Sequence, residues 1–352
     1  MSTTDFNSAV IDSIVDEISS GTSANTSKTK PKLEVEVADF KLEKGKVSYS
    51  SLFGKSFTTR DHNITIFKEE DWGVLKQYIP EVNPNYIFQP EACEKLAIAM
   101  EMGDYTMFTG PTGSGKSTLV EQYCALVKRP FIRINMTGDM ETSAFFGQLT
   151  VADGATVWKD GLFTQGYRDG AVILIDEWEL CPPEITMGLQ RTLEDNGRLV
   201  LKEKPGGEQI KPHQDTRIIV GGNTLGQGDE TGSFAGTNVQ NTATIDRFNT
   251  VIKLDYLTKK HETDLIMKAH PDVTRPIAEK MVQFATLLRT GHQQGSVSLT
   301  CSPRTLLNWA KKTIYWGDPV TALKMAFFDK IVDSEKPFVN TLVNKVFSKQ
   351  IK

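Results

Sequence analysis

No excess of positive charge marks this chain: 40 lysines and arginines face 44 aspartates and glutamates, for a formal net charge of −4. Duplex-DNA binders usually carry a strong basic excess, so the balance weighs against a nucleic-acid motor. Cysteines are few. Cys93, Cys124, Cys181 and Cys301 stand far apart with no C-x-x-C pair. That suggests neither a zinc site nor a disulfide framework, and they read as reduced thiols in a cytoplasmic protein. The five histidines are scattered without metal-ligand spacing. No run approaches the ~18 apolar residues of a membrane span. The N-terminus lacks a basic stretch followed by an apolar one, so no signal peptide and no membrane partner are expected. There is no internal repeat. What remains is an ordinary soluble composition, 39% hydrophobic and 24% charged over 352 residues. That is enough chain to bury a sizeable core in one large domain or two of ordinary size.

Residues 1–32 are rich in Ser, Thr, Asp and Asn and read as a flexible tail. Within it, Ser8–Ile18 has apolar residues at helical spacing, which suits either a docking helix or a frayed end. Residues 33–77 contain short alternating runs, LEVEVADF and HNITIF, and predict a small β-rich N-terminal module. Residues 78–256 hold five short apolar runs: Tyr105–Thr109, Phe131–Asn135, Ala171–Ile175, Arg217–Val220 and Thr250–Leu254. Helical or loop stretches separate them, which predicts an α/β fold with a five-stranded parallel sheet covered on both faces. Residues 257–352 are mostly helical in pattern, as in PIAEKMVQFATLLRT and PRTLLNWAKKTIYW, and predict a C-terminal helical lid domain.

The chemistry begins at Gly110-Pro111-Thr112-Gly113-Ser114-Gly115-Lys116-Ser117-Thr118. This matches the G-x-x-x-x-G-K-[ST] phosphate loop, with a predicted strand before it and a helix after it. Glycines let the backbone wrap closely around phosphate. Successive N–H groups and the helix N-terminus make an anion nest. Lys116 is expected to reach the β- and γ-phosphates of ATP, and the Ser117 hydroxyl to ligate Mg²⁺. A Gly-rich turn matching this pattern by chance has odds of roughly one in a hundred in such a chain.

The run Ala171–Ile175 ends in Asp176-Glu177. Ligands of doubly wound sheets bind at that edge. Asp176 is expected to hold Mg²⁺ through water with Ser117, and Glu177 to act as general base on the attacking water. Asn223, directly after the fourth run, would orient that water; alone it would be an ordinary turn residue. Arg247, in Asp246-Arg247-Phe248, and Arg304, in Ser302-Pro303-Arg304, suit either surface ion pairs or charge stabilisation of a transferring γ-phosphoryl group. Arg304 would act from the same chain and Arg247 on a neighbouring subunit. Ser302 would cap a helix with Pro303 at its first position.

These features, in this order, resemble the AAA+ superfamily. From about Val82 to Tyr256 the chain is similar to the MoxR-like branch, and within it to the CobS family, the ATPase subunits of aerobic cobaltochelatase. The segments that carry the likeness are PEVNPNYIFQP, the phosphate loop, the acidic strand end, LQRTLEDNGRL, GGNTLGQGDETGSFAGTNVQN and DRF. The resemblance implies Walker A roles for Lys116 and Ser117 and Walker B roles for Asp176 and Glu177. It implies sensor 1 for Asn223, the arginine finger for Arg247 and sensor 2 for Arg304. It also implies a hexameric ring, a von Willebrand A-domain partner and a large chelatase subunit that binds tetrapyrrole and metal. Two segments interrupt the core as MoxR-like inserts do: Gln148–Phe163, a hairpin around Asp153-Gly154, and Arg198–Gln209, around Pro205-Gly206-Gly207. A remodelling chaperone with another protein client shares every nucleotide residue with the chelatase motor. A scaffold that binds nucleotide without turnover is disfavoured by the intact Glu177 and Arg247.

Overall fold

The computed structural model describes residues 44–58, 60–194, 196–224 and 240–351. The possible helix at Ser8–Ile18, the tail 1–32, the run LEVEVADF and most of the GQGDETGSFAGTNVQN segment lie outside the described residues.

The chain enters as an antiparallel pair, β1 (Lys44–Ser48) and β2 (Asn63–Phe67), with Ser48 opposite Asn63 and Lys44 opposite Phe67. A helical turn, α1 (Tyr49–Phe53), lies between them, and 3₁₀ turns over Glu69–Tyr78 follow. The described part of this segment therefore has two strands and otherwise helical turns. Next come α2 (Pro90–Met102), β3 (Thr106–Thr109), α3 (Lys116–Leu126) and β4 (Phe131–Asn135). Gly103 closes α2 in the left-handed conformation, φ 80°, the C-cap that its position predicts. A short α4 (Thr142–Phe146) leads into the hairpin β5 (Gly147–Ala152) and β6 (Ala155–Asp160). Its turn residues Asp153 (φ 52°) and Gly154 (φ 76°) are both left-handed, as the tightest hairpin turn requires.

The core resumes with α5 (Leu162–Asp169), β7 (Val172–Asp176) and α6 (Pro183–Gln190). A second small hairpin, β8 (Leu199–Leu201) with β9 (Glu208–Ile210), precedes β10 (Arg217–Gly222). Then follow α7 (Thr242–Ile245) and β11 (Thr250–Lys253). Five strands form one parallel sheet in the order β11-β3-β10-β7-β4. Successive side chains of a strand face opposite sides. Phe108, Leu174 and Ile219 therefore join α2 and α3 on one face. Met107, Ile173, Ile175 and Val220 join Phe163, Tyr167, Ile185 and Leu189 on the other.

The strand β10 runs two residues further than the sequence suggests, through Gly221 and Gly222. A Cβ on Gly222 would stand 2.6 Å from Glu179 Oε2, and one on Gly221 would stand 3.0 Å from Asp176 Oδ1. Bare backbone is what lets two carboxylates close on this strand end.

The first described strands are not set apart from the nucleotide-binding layers. Tyr49, Leu52, Ile64 and Ile66 are fully buried and share a cluster with Leu96, Tyr123 and Val127. Ile64→Ala should therefore cost the sheet-bearing part about 2–5 kcal/mol of stability, because its cavity opens inside that common core. Thermal or denaturant unfolding checks this, and an unshifted midpoint would mean the hairpin is a detached appendage.

The last helices are α8 (Lys259–Ala269), α9 (Arg275–Gln293), α10 (Pro303–Trp316), α11 (Pro319–Ala326) and α12 (Lys336–Phe347). They bury their own cluster around Ile266, Phe284, Leu288, Trp309 and Leu323. Among the described residues no helix is long and apolar enough to cross a membrane.

Candidate functional site

Three neighbouring strand ends of the parallel sheet, those of β3, β10 and β7, open on the same edge. The phosphate loop leaves β3 there. Its glycines adopt conformations that favour no side chain: φ is 146° at Gly110, 76° at Gly113 and 97° at Gly115. A Cβ on Gly110 would fall 1.9 Å from the carbonyl oxygen of Leu254, and one on Gly113 would fall 2.5 Å from Ser302 Cβ. Pro111 is half-buried, Thr112 exposed and Ser114 buried, and Thr118 is half-buried on the first turn of α3.

Lys116 begins α3 and folds back over the loop. Its ammonium donates to the carbonyl of Gly110 at 2.7 Å and to Oδ1 of Asn223 at 3.0 Å. Burial lowers its pKa, opposed by the carboxylates of Asp176, Glu179 and Glu177. Next to it, the Ser117 hydroxyl donates to Asp176 Oδ2 at 2.5 Å. The Arg133 guanidinium, from β4, pairs with the same oxygen at 2.6 Å. Asp176 is buried at the last position of β7.

Glu177 follows in the left-handed region, φ 56°, an uncommon place for a residue with a side chain and one seen at working sites. Its backbone N–H donates to Asp176 Oδ1 at 3.1 Å. Loss of water in the cleft raises its pKa first, then the negative charges of Asp176 and Glu179; Lys116 and Arg133 pull the other way. Asn223, at the end of β10, accepts from Lys116 and, at 3.4 Å, from the Thr112 hydroxyl. Lys116, Ser117, Asp176, Glu177 and Asn223 thus stand round one opening.

The two arginines are placed differently. Arg304 is exposed at the second position of α10, and Ser302 caps that helix by accepting from the Thr305 N–H at 3.3 Å. Ser302 also lies against Gly113, so the start of α10 abuts the phosphate loop. Arg247 is away from the opening. It donates to the Ala243 carbonyl and pairs with Glu194 at 3.1 Å.

Sequence reasoning passed over two residues of the site. Arg133 is the lone charge in the apolar strand FIRIN, and that break in the pattern was its signal. Glu179 is buried, and its Oε1 accepts from the N–H groups of Asn223 and, at 2.9 Å, Thr224. Its Oε2 has no hydrogen-bond partner among the described residues. It follows the acidic pair by two positions, and nothing local distinguishes it from a surface glutamate.

The geometry is that of a P-loop nucleotide site, and comparison with known proteins agrees. Residues 106–273 match the AAA domain family (dynein-related subfamily), and residues 262–346 match the CbbQ/NirQ/NorQ C-terminal family. The aerobic cobaltochelatase subunit CobS of Sinorhizobium sp is 31% identical over 283 residues, 78% of this chain and 85% of that protein. Protein CbbQ of Hydrogenophilus thermoluteolus is 27% identical over 259 residues, 73% of this chain and 92% of that protein. Mouse von Willebrand factor A domain-containing protein 8 is 25% identical over 221 residues, 60% of this chain and 11% of that protein. The chain belongs to the AAA+ ATPases of the MoxR-like branch, in the group of CobS and CbbQ.

Proposed function

We propose that this protein is the ATP-hydrolysing motor subunit of a CobS-like cobalt-chelatase complex, working as a hexameric ring with a von Willebrand A-domain partner and a large chelatase subunit. The observation that carries the motor reading is the convergence of Lys116, Ser117, Asp176 and Asn223 on one sheet edge, with Glu177 beside them. The N–H groups of the phosphate loop and the Lys116 ammonium bind the phosphates, a role open to Lys116 because its present acceptors are loop carbonyls and Asn223.

The donor set fits magnesium: a serine hydroxyl and a carboxylate oxygen lie side by side, both hard oxygen ligands. When bound, the ion would supply neutralisation of charge on the β- and γ-phosphates. Glu177 takes the proton of the attacking water. Asn223 orients that water, held in place by Glu179 through the backbone of its strand end. Arg304 approaches the γ-phosphate from its own chain, on the helix that abuts Gly113. Arg247 serves the neighbouring subunit.

Calorimetry with magnesium and adenine nucleotide tests the site. Lys116→Ala removes charge-assisted hydrogen bonds of about 1.5–3 kcal/mol, so ATP should bind on the order of ten- to a hundredfold more weakly. No heat from the well-folded unsubstituted protein would remove the reading altogether.

The chelatase assignment is supported by the similarity to CobS over most of both chains. The partner is supported by the likeness to a protein named for its von Willebrand A domain. The match of residues 262–346 to the CbbQ/NirQ/NorQ C-terminal family favours a second reading, a remodelling chaperone with another client. Purification from the native source separates them. A large chelatase subunit should accompany the chain on the first reading, and a von Willebrand A-domain protein without it on the second.

A further inference from the structure

Arg289, on α9, has only 10% of its side chain exposed, and all three of its nitrogens are engaged. Its Nη1 and Nη2 donate to the two oxygens of Glu262 on α8 at 2.9 and 2.8 Å. Its Nε donates to the carbonyl of Cys301 at 2.8 Å. Its flat face covers the Tyr256 ring, 3.9 Å from the centroid. The Tyr256 hydroxyl in turn donates to the carbonyl of Thr112 in the phosphate loop at 3.1 Å.

One guanidinium therefore joins α8, α9 and the residue before the Ser302-Pro303-Arg304 start of α10 to a ring that is bonded to the phosphate loop. Ser302 packs beside Gly113. Tyr256, just ahead of the helical region, and Ser302, within it, thus meet the loop at two consecutive residues, Thr112 and Gly113, and Arg289 stands behind both contacts.

A buried ion pair adds little net stability over well-packed apolar residues, because both charges lose water; its better-attested use is to fix one arrangement among several. A lysine could not replace this arginine, since only the planar fork bonds Glu262 twice while presenting a face to an aromatic ring.

We propose that Tyr256, Arg289 and Glu262 are positioning residues that hold the start of α10 against the phosphate loop, so that Arg304 stands where a γ-phosphate arrives. This rests on the reading of Arg304 as a γ-phosphate residue. The consequence is selective. A residue that only supports the fold alters binding of diphosphate and triphosphate alike, whereas one that positions Arg304 alters triphosphate binding alone.

The test titrates fluorescent mant-AMPPNP and mant-ADP into the full chain, its Tyr256→Phe and Arg304→Ala variants and the double variant. Tyr256→Phe keeps the ring and its contact with Arg289 and deletes only the hydroxyl. It should weaken mant-AMPPNP about fivefold, the worth of one hydrogen bond. Mant-ADP should stay within about twofold, and because this hydrogen bond is already made without nucleotide the melting temperature should fall by no more than about 4 °C. In the Arg304→Ala background the same change should have no further effect on mant-AMPPNP. Arg289→Lys should reproduce the selective loss; should that variant not fold, Tyr256→Phe decides by itself. Equal losses for both nucleotides, or effects of Tyr256→Phe and Arg304→Ala that simply add, would overturn the proposal. Failure of the unsubstituted chain to bind either nucleotide would instead overturn the functional reading. An Arg304→Ala variant that binds both nucleotides normally would overturn the Arg304 role and this inference with it.

Discussion

Replacing Arg247 by alanine should lower ATP turnover by about a thousandfold or more, the usual worth of an arginine finger, while each subunit goes on binding ATP. The argument is one of register. In the pairing of β11 with β3, Thr250 lies opposite Thr106 and Lys253 opposite Thr109. The phosphate loop leaves from the Thr109 end. Arg247 precedes Thr250 by three residues and so lies beyond the opposite end of the strand. At about 3.3 Å per residue the length of β11 alone sets it on the order of 10 Å from its own phosphate site. An arginine so placed is out of reach of its own phosphate site, and in the proposed ring it would serve a neighbouring copy, so the effect should fall on turnover and not on binding.

Its present partner suits that use. Glu194 is half exposed, and such pairs are worth about 1 kcal/mol or less, which a phosphate oxygen can displace. Mixing Arg247→Ala with Glu177→Gln subunits should restore part of the rate, since one supplies the base and the other the finger at shared boundaries. A dilute monomer hydrolysing at the full rate would end the trans assignment.

Glu177→Gln should bind ATP and hydrolyse it at least ~100-fold more slowly, because glutamine keeps the shape but cannot take a proton. The strand β7 ends at Asp176, and Glu177 follows it in a left-handed turn, exposed at the same sheet edge. If Glu177 is the base, it also sets the pH dependence. Its pKa is raised above the ordinary value of 4.5, chiefly by loss of water and then by Asp176 and Glu179. Hydrolysis needs the ionised base, so the acid limb of the rate profile should lie above that value. Glu179→Gln removes one of the negative charges, makes ionisation easier and should move the limb to lower pH. Steady-state rates across pH check both points, and undiminished turnover in Glu177→Gln would dismiss that residue as the base.

The parts of the fold that sequence made legible are those governed by neighbours along the chain. Each sheet strand was expected within two residues of its observed ends, because a parallel strand buried on both faces reads as an apolar run. The Asp153-Gly154 turn and the Ser302 cap followed from residues with few other conformational choices. What stayed hidden depends on distance. Glu262 and Arg289 are 27 residues apart and meet only when α8 packs on α9. Glu179 finds the N–H groups of Asn223 and Thr224 across the sheet edge, more than forty positions away. The glycines that end β10 look like a turn until two carboxylates are seen pressing on them. Nor does any local pattern show that the hairpin of β1 and β2 completes the core under α3.

That last arrangement has a mechanical meaning. Tyr49, Leu52 and Ile64 lie in the same apolar packing as Leu119 and Tyr123 of α3, the helix whose first residue is Lys116. A pull applied at Lys44 would therefore act on the underside of the helix that begins at Lys116, because both sit in one packed core. For the same reason, trimming the chain back to the start of the recognisable ATPase motifs would strip the floor from beneath α3 and leave the bench without legs.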